Sequence, residues 1–261
     1  MCSRVLRSIL SLAALTVLSL AAGCSDDATS PATLTQDEAD DLATQIASTL
    51  ALDNGGTLAV LPTLDVETTV AKTAPPPTEG DTTIGGFTYH YQTRFINAAG
   101  DTMASYDPLL TVRLQTQLRA AGEITTVRYQ AQVQHRSQFE LQGVNALADS
   151  LKFNGTCSDS CQSSFTALMY QYQRHFRLES QVQVQNVAYL KPVESGELPC
   201  SGVMTWEMIA ARYMDAERTQ LAEQLRATVT VRFTGGDTAE LEVEGGWTYQ
   251  LNLRTGEIVR T

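Results

Sequence analysis

Lysine is nearly missing from this 261-residue chain: Lys72, Lys152 and Lys191 are all it has, and the formal net charge is −11. Binding to nucleic acid rests on neutralising phosphates with surplus cations, so no nucleic-acid partner is expected. Catalytic signatures are missing too. There is no Gly-Xaa-Ser-Xaa-Gly elbow, no His-Glu-Xaa-Xaa-His pair and no glycine-rich phosphate loop ahead of a helix. The expectation is therefore a non-catalytic protein with no cofactor and no metal. No collagen, coiled-coil or polytopic membrane pattern is present. With 43% hydrophobic and 18% charged residues, the composition is that of a folded globular chain.

What is present begins with an address. Residues 1–24 read MCSRVLRSILSLAALTVLSLAAGC, with Arg4 and Arg7 ahead of an apolar stretch from Ile9 to Ala22. That stretch is shorter than the roughly 20 residues a membrane-spanning helix needs, and it reads as a secretory signal. Ala21-Ala22-Gly23-Cys24 resembles the lipobox of bacterial lipoproteins. In that family, cleavage before the cysteine follows its acylation and leaves it as the new N-terminus. The family prefers Leu, Val or Ile where Ala21 stands, and Leu20 lies one place earlier. The resemblance implies lipidation of Cys24, attachment to a bacterial cell envelope and, with Ser25 following, an outer-membrane location. Several acyl chains on one residue suffice for stable anchoring. The competing reading is an ordinary signal cut near Ala22, with Cys24 an incidental thiol.

Charge divides the remainder. Residues 24–83 carry eleven acidic side chains and one basic, whereas 84–261 carry 18 acidic and 15 basic. An acidic tether is thus expected over 24–83, extended where Pro75-Pro76-Pro77 and Asn54-Gly55-Gly56 fall. One helix interrupts it over about 35–52. Thr35 and Glu38 form a capping box, Leu34 and Ala39 a hydrophobic staple, and Asp37 and Glu38 suit the positive helix start. Ala39, Leu42, Ala43, Ile46 and Leu50 recur at helical spacing. Packing of this stripe on the body is the simpler expectation, and docking to a partner the alternative.

From Phe87 the apolar period becomes two. The clearest run, 126–142, sets Val127, Tyr129, Ala131, Val133, His135, Ser137, Phe139 and Leu141 against Arg128, Gln130, Gln132, Gln134, Arg136, Gln138, Glu140 and Gln142. A helix would scatter those apolar groups around its circumference. Further runs fall at 87–95, 110–118, 169–190, 202–212, 225–234, 238–244 and 247–253, with Ala99-Gly100-Asp101, Ala121-Gly122-Glu123, Gly235-Gly236 and Gly245-Gly246 read as turns. Asp215–Leu225 reads as a short helix or a helical loop. These runs predict a mainly β domain over 84–261: a curved antiparallel meander of eight to ten strands, as a half-barrel or open barrel. Run 126–142 would stretch about 55 Å at roughly 3.3 Å per residue, so a bend or bulge is expected near Ser137. A transmembrane barrel also alternates, but paired aromatic girdles are lacking and lipidation would be redundant.

Among candidate site residues, Cys157, Cys161 and Cys200 are left once Cys2 and Cys24 are set aside. In an exported protein they are disulfide candidates. Cys157-Ser-Asp-Ser-Cys161 reads as a hairpin tip closed by a local bridge, with Cys200 pairing either one as the alternative. Zinc held by the three cysteines and His175 has no support in their spacing. His90 and His175 fall on polar faces and His135 on an apolar one, each read as a packing residue. Asp237, Glu240, Glu242 and Glu244 read as a solvated strand face. The Gln-, Thr- and Arg-rich outer face suits solubility, and also contact with an envelope protein or glycan. The second functional expectation is a carrier of an acyl chain in the concave apolar face, lidded by the helix; curved one-faced sheets with a helical lid occur in bacterial lipid carriers, an analogy of fold alone.

Metabolic palmitate labelling tests the anchor. The full chain should incorporate label, and Cys24→Ala should abolish it and move the protein to the soluble fraction; labelling that survives the substitution would refute lipidation at that thiol.

Overall fold

A computed structural model describes residues 34–53, 79–84, 87–125, 129–166, 173–193 and 196–261. The signal segment, Cys24, Asn54-Gly55-Gly56 and Pro75-Pro76-Pro77 lie outside the described residues.

Helix α1 (Gln36–Leu50) starts where the capping box places it: the Glu38 carboxylate accepts from the Thr35 backbone N–H at 2.8 Å, and the Glu38 N–H donates to Thr35 Oγ1 at 3.4 Å. Twelve strands follow among the described residues: β1 (Glu79–Ile84), β2 (Phe87–Asn97), β3 (Thr102–Met103), β4 (Thr111–Thr125), β5 (Tyr129–Gln142), β6 (Ser150–Thr166), β7 (Gln173–Leu190), β8 (Ser201–Tyr213), β9 (Leu221–Phe233), β10 (Thr238–Val243), β11 (Trp247–Asn252) and β12 (Ile258–Arg260). They form one sheet in the order β1-β2-β4-β5-β6-β7-β8-β9-β10-β11-β12, with β3 as an extra partner of β2. Every adjacent pair is antiparallel. The sheet is an open meander, as the alternation predicted, and among the described residues one N-terminal helix accompanies it.

Alternation gives the sheet an apolar inner face and a polar outer one. On the inner face α1 packs on β10, β11 and β12, and its Leu42, Ile46 and Leu50 share one buried cluster with Leu241, Tyr249 and Leu251. Each fully buried leucine or isoleucine contributes about 1.5–3 kcal/mol, so the helix docks on the body through its apolar stripe. Leu52 and Asp53 donate backbone hydrogen bonds to the carbonyls of Leu253 and Arg254, tying the helix end to the turn after β11. A second buried cluster, with Phe87, Tyr89, Leu118, Val133 and Cys161, occupies the other end of the long strands.

Five expectations are corrected. Ala121-Gly122-Glu123 is not a turn, because β4 runs through it to Thr125 paired with both β2 and β5. Residues 157–161 are the middle of β6 rather than a hairpin tip, since β5 and β7 flank them on both sides. Asp215–Leu225 is a turn followed by β9. The Asp215 carboxylate accepts from Thr219 N–H and Gln220 N–H at 3.0 and 2.8 Å, closing a loop that returns Leu221 to pair with Tyr213. Residues 79–83, expected in the tether, join the sheet as part of β1, with Asp81 Oδ1 2.8 Å from His90 Nδ1 across the strand pair.

No bulge breaks β5 at Ser137, where the register to both neighbours is continuous; irregularities lie elsewhere, among them between Phe153 and Gly155 and between Gln185 and Ala188. Asn186 adopts a left-handed φ of 51° and donates its N–H to Asn154 Oδ1 at 2.8 Å. Gly202 opposite has φ 119°, and a Cβ there would lie 2.5 Å from Val187 Cα, so the bulge requires glycine.

Tyr249 donates to Asp40 Oδ1 at 2.7 Å, joining β11 to α1. Burial first, and then the Asp40 carboxylate, raise its phenol above the ordinary tyrosine range. A folded-state pKa above the unfolded value of about 10 means stability complete below that pH and lost as pH rises through it. Tyr249→Phe should lower stability at neutral pH by roughly 1–2 kcal/mol and flatten the alkaline fall, measured by urea unfolding at stepped pH. An unchanged alkaline slope would show that the phenol carries no such linkage.

Candidate functional site

Two places gather chemistry, one on each face. The first is a polar seam in the apolar inner face. Register places Tyr89, Ala120, His135, Asp159, Ser180 and Met208 in one cross-strand row between the two apolar clusters. His135 is buried, and its Nδ1 lies 2.8 Å from Asp159 Oδ1. Its Nε2 lies 3.3 Å from Ser137 Oγ, two residues along β5. Cys157 Sγ approaches both partners, 3.7 Å from His135 Nδ1 and 3.6 Å from Asp159 Oδ2. Burial and then the Asp159 charge raise the Cys157 thiol well above its ordinary range, so it is held protonated.

The Asp159–His135–Ser137 connections repeat the order of an acyl-transfer triad. Such a triad also needs N–H donors aimed at the developing oxyanion. Ser137 is in mid-strand, where the ladders to β4 and β6 engage the backbone around it. The geometry therefore supplies a positioned imidazole on a paired strand. His135, Cys157 and Asp159 do place three ligand atoms within 4.8 Å of one another, the kind of set that can hold a metal ion.

The second place is a trough of about 560 Å³ on the outer face, crossing β5 to β9. Two cross-strand rows form its floor: Arg136, Ser158, Gln181, Glu207 and Thr228, and beside them Gln134, Ser160, Glu179, Ile209 and Arg226. The hollow has a local cause. β6 presents serines, Ser158 and Ser160, between the longer side chains of β5 and β7. Acidic groups occupy the centre and an arginine stands at each flank. Glu179 is paired with Arg177.

The predicted disulfide residues are free thiols. Cys157 and Cys161 share one strand, so they sit about 13 Å apart at roughly 3.3 Å per residue, twice the reach of a bridge. Cys200 donates its N–H to Ala188, six positions along β7 from Val182, the residue opposite Cys157. That puts it about 20 Å away along the strands. His175 is buried against Ser164, with Oγ 2.8 Å from its Nδ1. The acidic strand face is engaged by cations: Asp237 with Arg254 at 3.1 Å and Glu242 with Arg232 at 3.6 Å. The polar seam escaped the sequence reading because Asp159 lay inside the supposed hairpin. The alternation of 150–166 as a strand would have put Cys157, Asp159 and Cys161 on the face of His135.

Comparison with protein-family models, with curated proteins and with solved structures finds no match.

Thiol reactivity checks the inner face. In the native chain at pH 8, iodoacetamide should modify half-buried Cys200 faster than Cys157 and Cys161 by about tenfold or more, the difference vanishing on unfolding. Rapid native modification of Cys157 would contradict its burial.

Proposed function

We propose that this protein is a lipid-anchored, non-catalytic binding module of a bacterial cell envelope, tethered through Cys24 and meeting an extended segment of another envelope protein in the outer-face trough. The observation that carries the reading is the trough itself. It is an open hollow across five strands, or about 19 Å at roughly 4.8 Å per strand, lined by polar and charged side chains together with Met208, Ile209 and Ala227. Its floor carries amides, hydroxyls and charges of both signs, matching the polar and charged groups of a polypeptide. Among the described residues that line it none is aromatic, which favours a protein over a glycan partner needing a stacking platform.

The anchor rests on the residues at 21–24 and the acidic stretch behind them. No helix among the described residues is long and apolar enough to cross a membrane. The carrier reading has less support. The gap between α1 and the sheet, lined by Leu42, Leu178, Met208, Ala210 and Leu225, measures about 10 Å³. That is room for about one water, against the roughly 300 Å³ and more of ligand pockets.

A photocrosslinking amino acid placed at Gln181 in cells should trap one envelope protein, and Ser160→Trp or Arg136→Glu with Arg226→Glu should remove that adduct while the circular dichroism stays the same. Loss of no adduct in either variant, or capture of polysaccharide in place of protein, would overturn the reading.

A further inference from the structure

We infer that His135 Nδ1, Cys157 Sγ and Asp159 Oδ2 form a binding site for a borderline transition-metal dication, with Zn²⁺ as the reference ion, pinning β5 to β6 on the inner face. Its ligand side chains share the inner face by register, while Asp159 also borders the trough.

Donor type comes first. A thiol, an imidazole and a carboxylate are the three side-chain ligands zinc takes, and in this structure their ligand atoms lie within 4.8 Å of one another. Spacing agrees. Bonds of about 2.3 Å to sulfur and about 2.0 Å to nitrogen and oxygen give tetrahedral ligand–ligand edges of about 3.3–3.6 Å. The Cys157 sulfur lies 3.7 Å from the His135 nitrogen and 3.6 Å from the Asp159 oxygen. Both edges to sulfur are thus within a few tenths of an ångström of the ideal, and the edge from imidazole to carboxylate lies inside the 4.8 Å that bounds the set, leaving the fourth corner to water.

The ring is oriented for ligation. With the metal on Nδ1, the imidazole proton sits on Nε2, and Ser137 Oγ at 3.3 Å is placed to accept it. Such outer contacts fix tautomer and ring angle in metal sites. The Nδ1–Asp159 hydrogen bond of the metal-free chain is exchanged for two metal bonds. Binding forms one bond each to sulfur, nitrogen and oxygen, and the Cys157 thiol proton passes to solvent.

A thiolate and a carboxylate sum to −2 with a neutral imidazole, cancelling the dication. A neutral cluster is what an apolar interior accepts, whereas an isolated charge there is strongly disfavoured. Chain placement also favours it: β5 and β6 are adjacent, so all three ligands sit on paired strands whose register is locked on both sides.

The test uses the full chain stripped with chelator. Calorimetric titration with Zn²⁺ should give one ion per chain. Cys157→Ser and Asp159→Asn should each weaken binding at least about tenfold, as should Ser137→Ala toward the lower end of the 10–100-fold range typical of outer contacts. Cys161→Ser and Cys200→Ser should leave it unchanged. Co²⁺ in the unmodified chain should add a thiolate-to-cobalt absorption band in the near ultraviolet. Stoichiometric Co²⁺ without that band would overturn the site without recourse to any variant, and so would Zn²⁺ affinity unaltered in Cys157→Ser.

Discussion

An open sheet with one apolar face must cover that face without closing on itself, and everything else in this molecule follows from how the cover is arranged. Two closed edges would have made a barrel. Here β1 and β12 end the order unpaired with one another, and the short strands β10–β12 leave an apolar surface that α1 seals with Leu42, Ile46 and Leu50. The Tyr249–Asp40 hydrogen bond and the backbone bonds from Leu52 and Asp53 hold the helix in place. Burial supplies the energy; these polar contacts set the position.

Toward the long strands the inner face is interrupted by His135, Ser137, Cys157 and Asp159. Polar groups inside an apolar layer are tolerated when they satisfy one another, and this group does so through contacts of 2.8 and 3.3 Å. The outer face obeys the opposite rule. Its long strands present Gln, Arg, Ser and Thr, and a hollow forms where β6 offers serines between bulkier neighbours. One sheet thus carries two chemically distinct candidate sites. The inner one is defined by hydrogen bonding in low dielectric, the outer by shape and charge in water.

Much of the architecture was legible in residue order. The alternation from Phe87 onward, the Gly235-Gly236 and Gly245-Gly246 turns and the Thr35–Glu38 cap correspond to structure with small shifts in bounds. The misreadings share one cause. Ala121-Gly122-Glu123 and Cys157–Cys161 look like chain reversals in residue order, but strands on both sides hold these segments extended. Ladder bonds outweigh local preference there, and Asn154 and Gly155 serve a bulge between β6 and β7. The helical spacing of Asp215–Leu225 lost to pairing with β8 for the same reason.

Residue order by itself determined period, cap, charge division and the lipobox-like segment, because each depends on neighbours a few positions away. It also placed His135 on an apolar face. Tertiary structure alone decided that Asp159 and Cys157, more than 20 positions along the chain, would stand beside that histidine, and that Ser158 and Ser160 would hollow the opposite face. Cross-strand register does this work: it joins residues by lateral hydrogen bonding, a relation that distance along the chain does not encode.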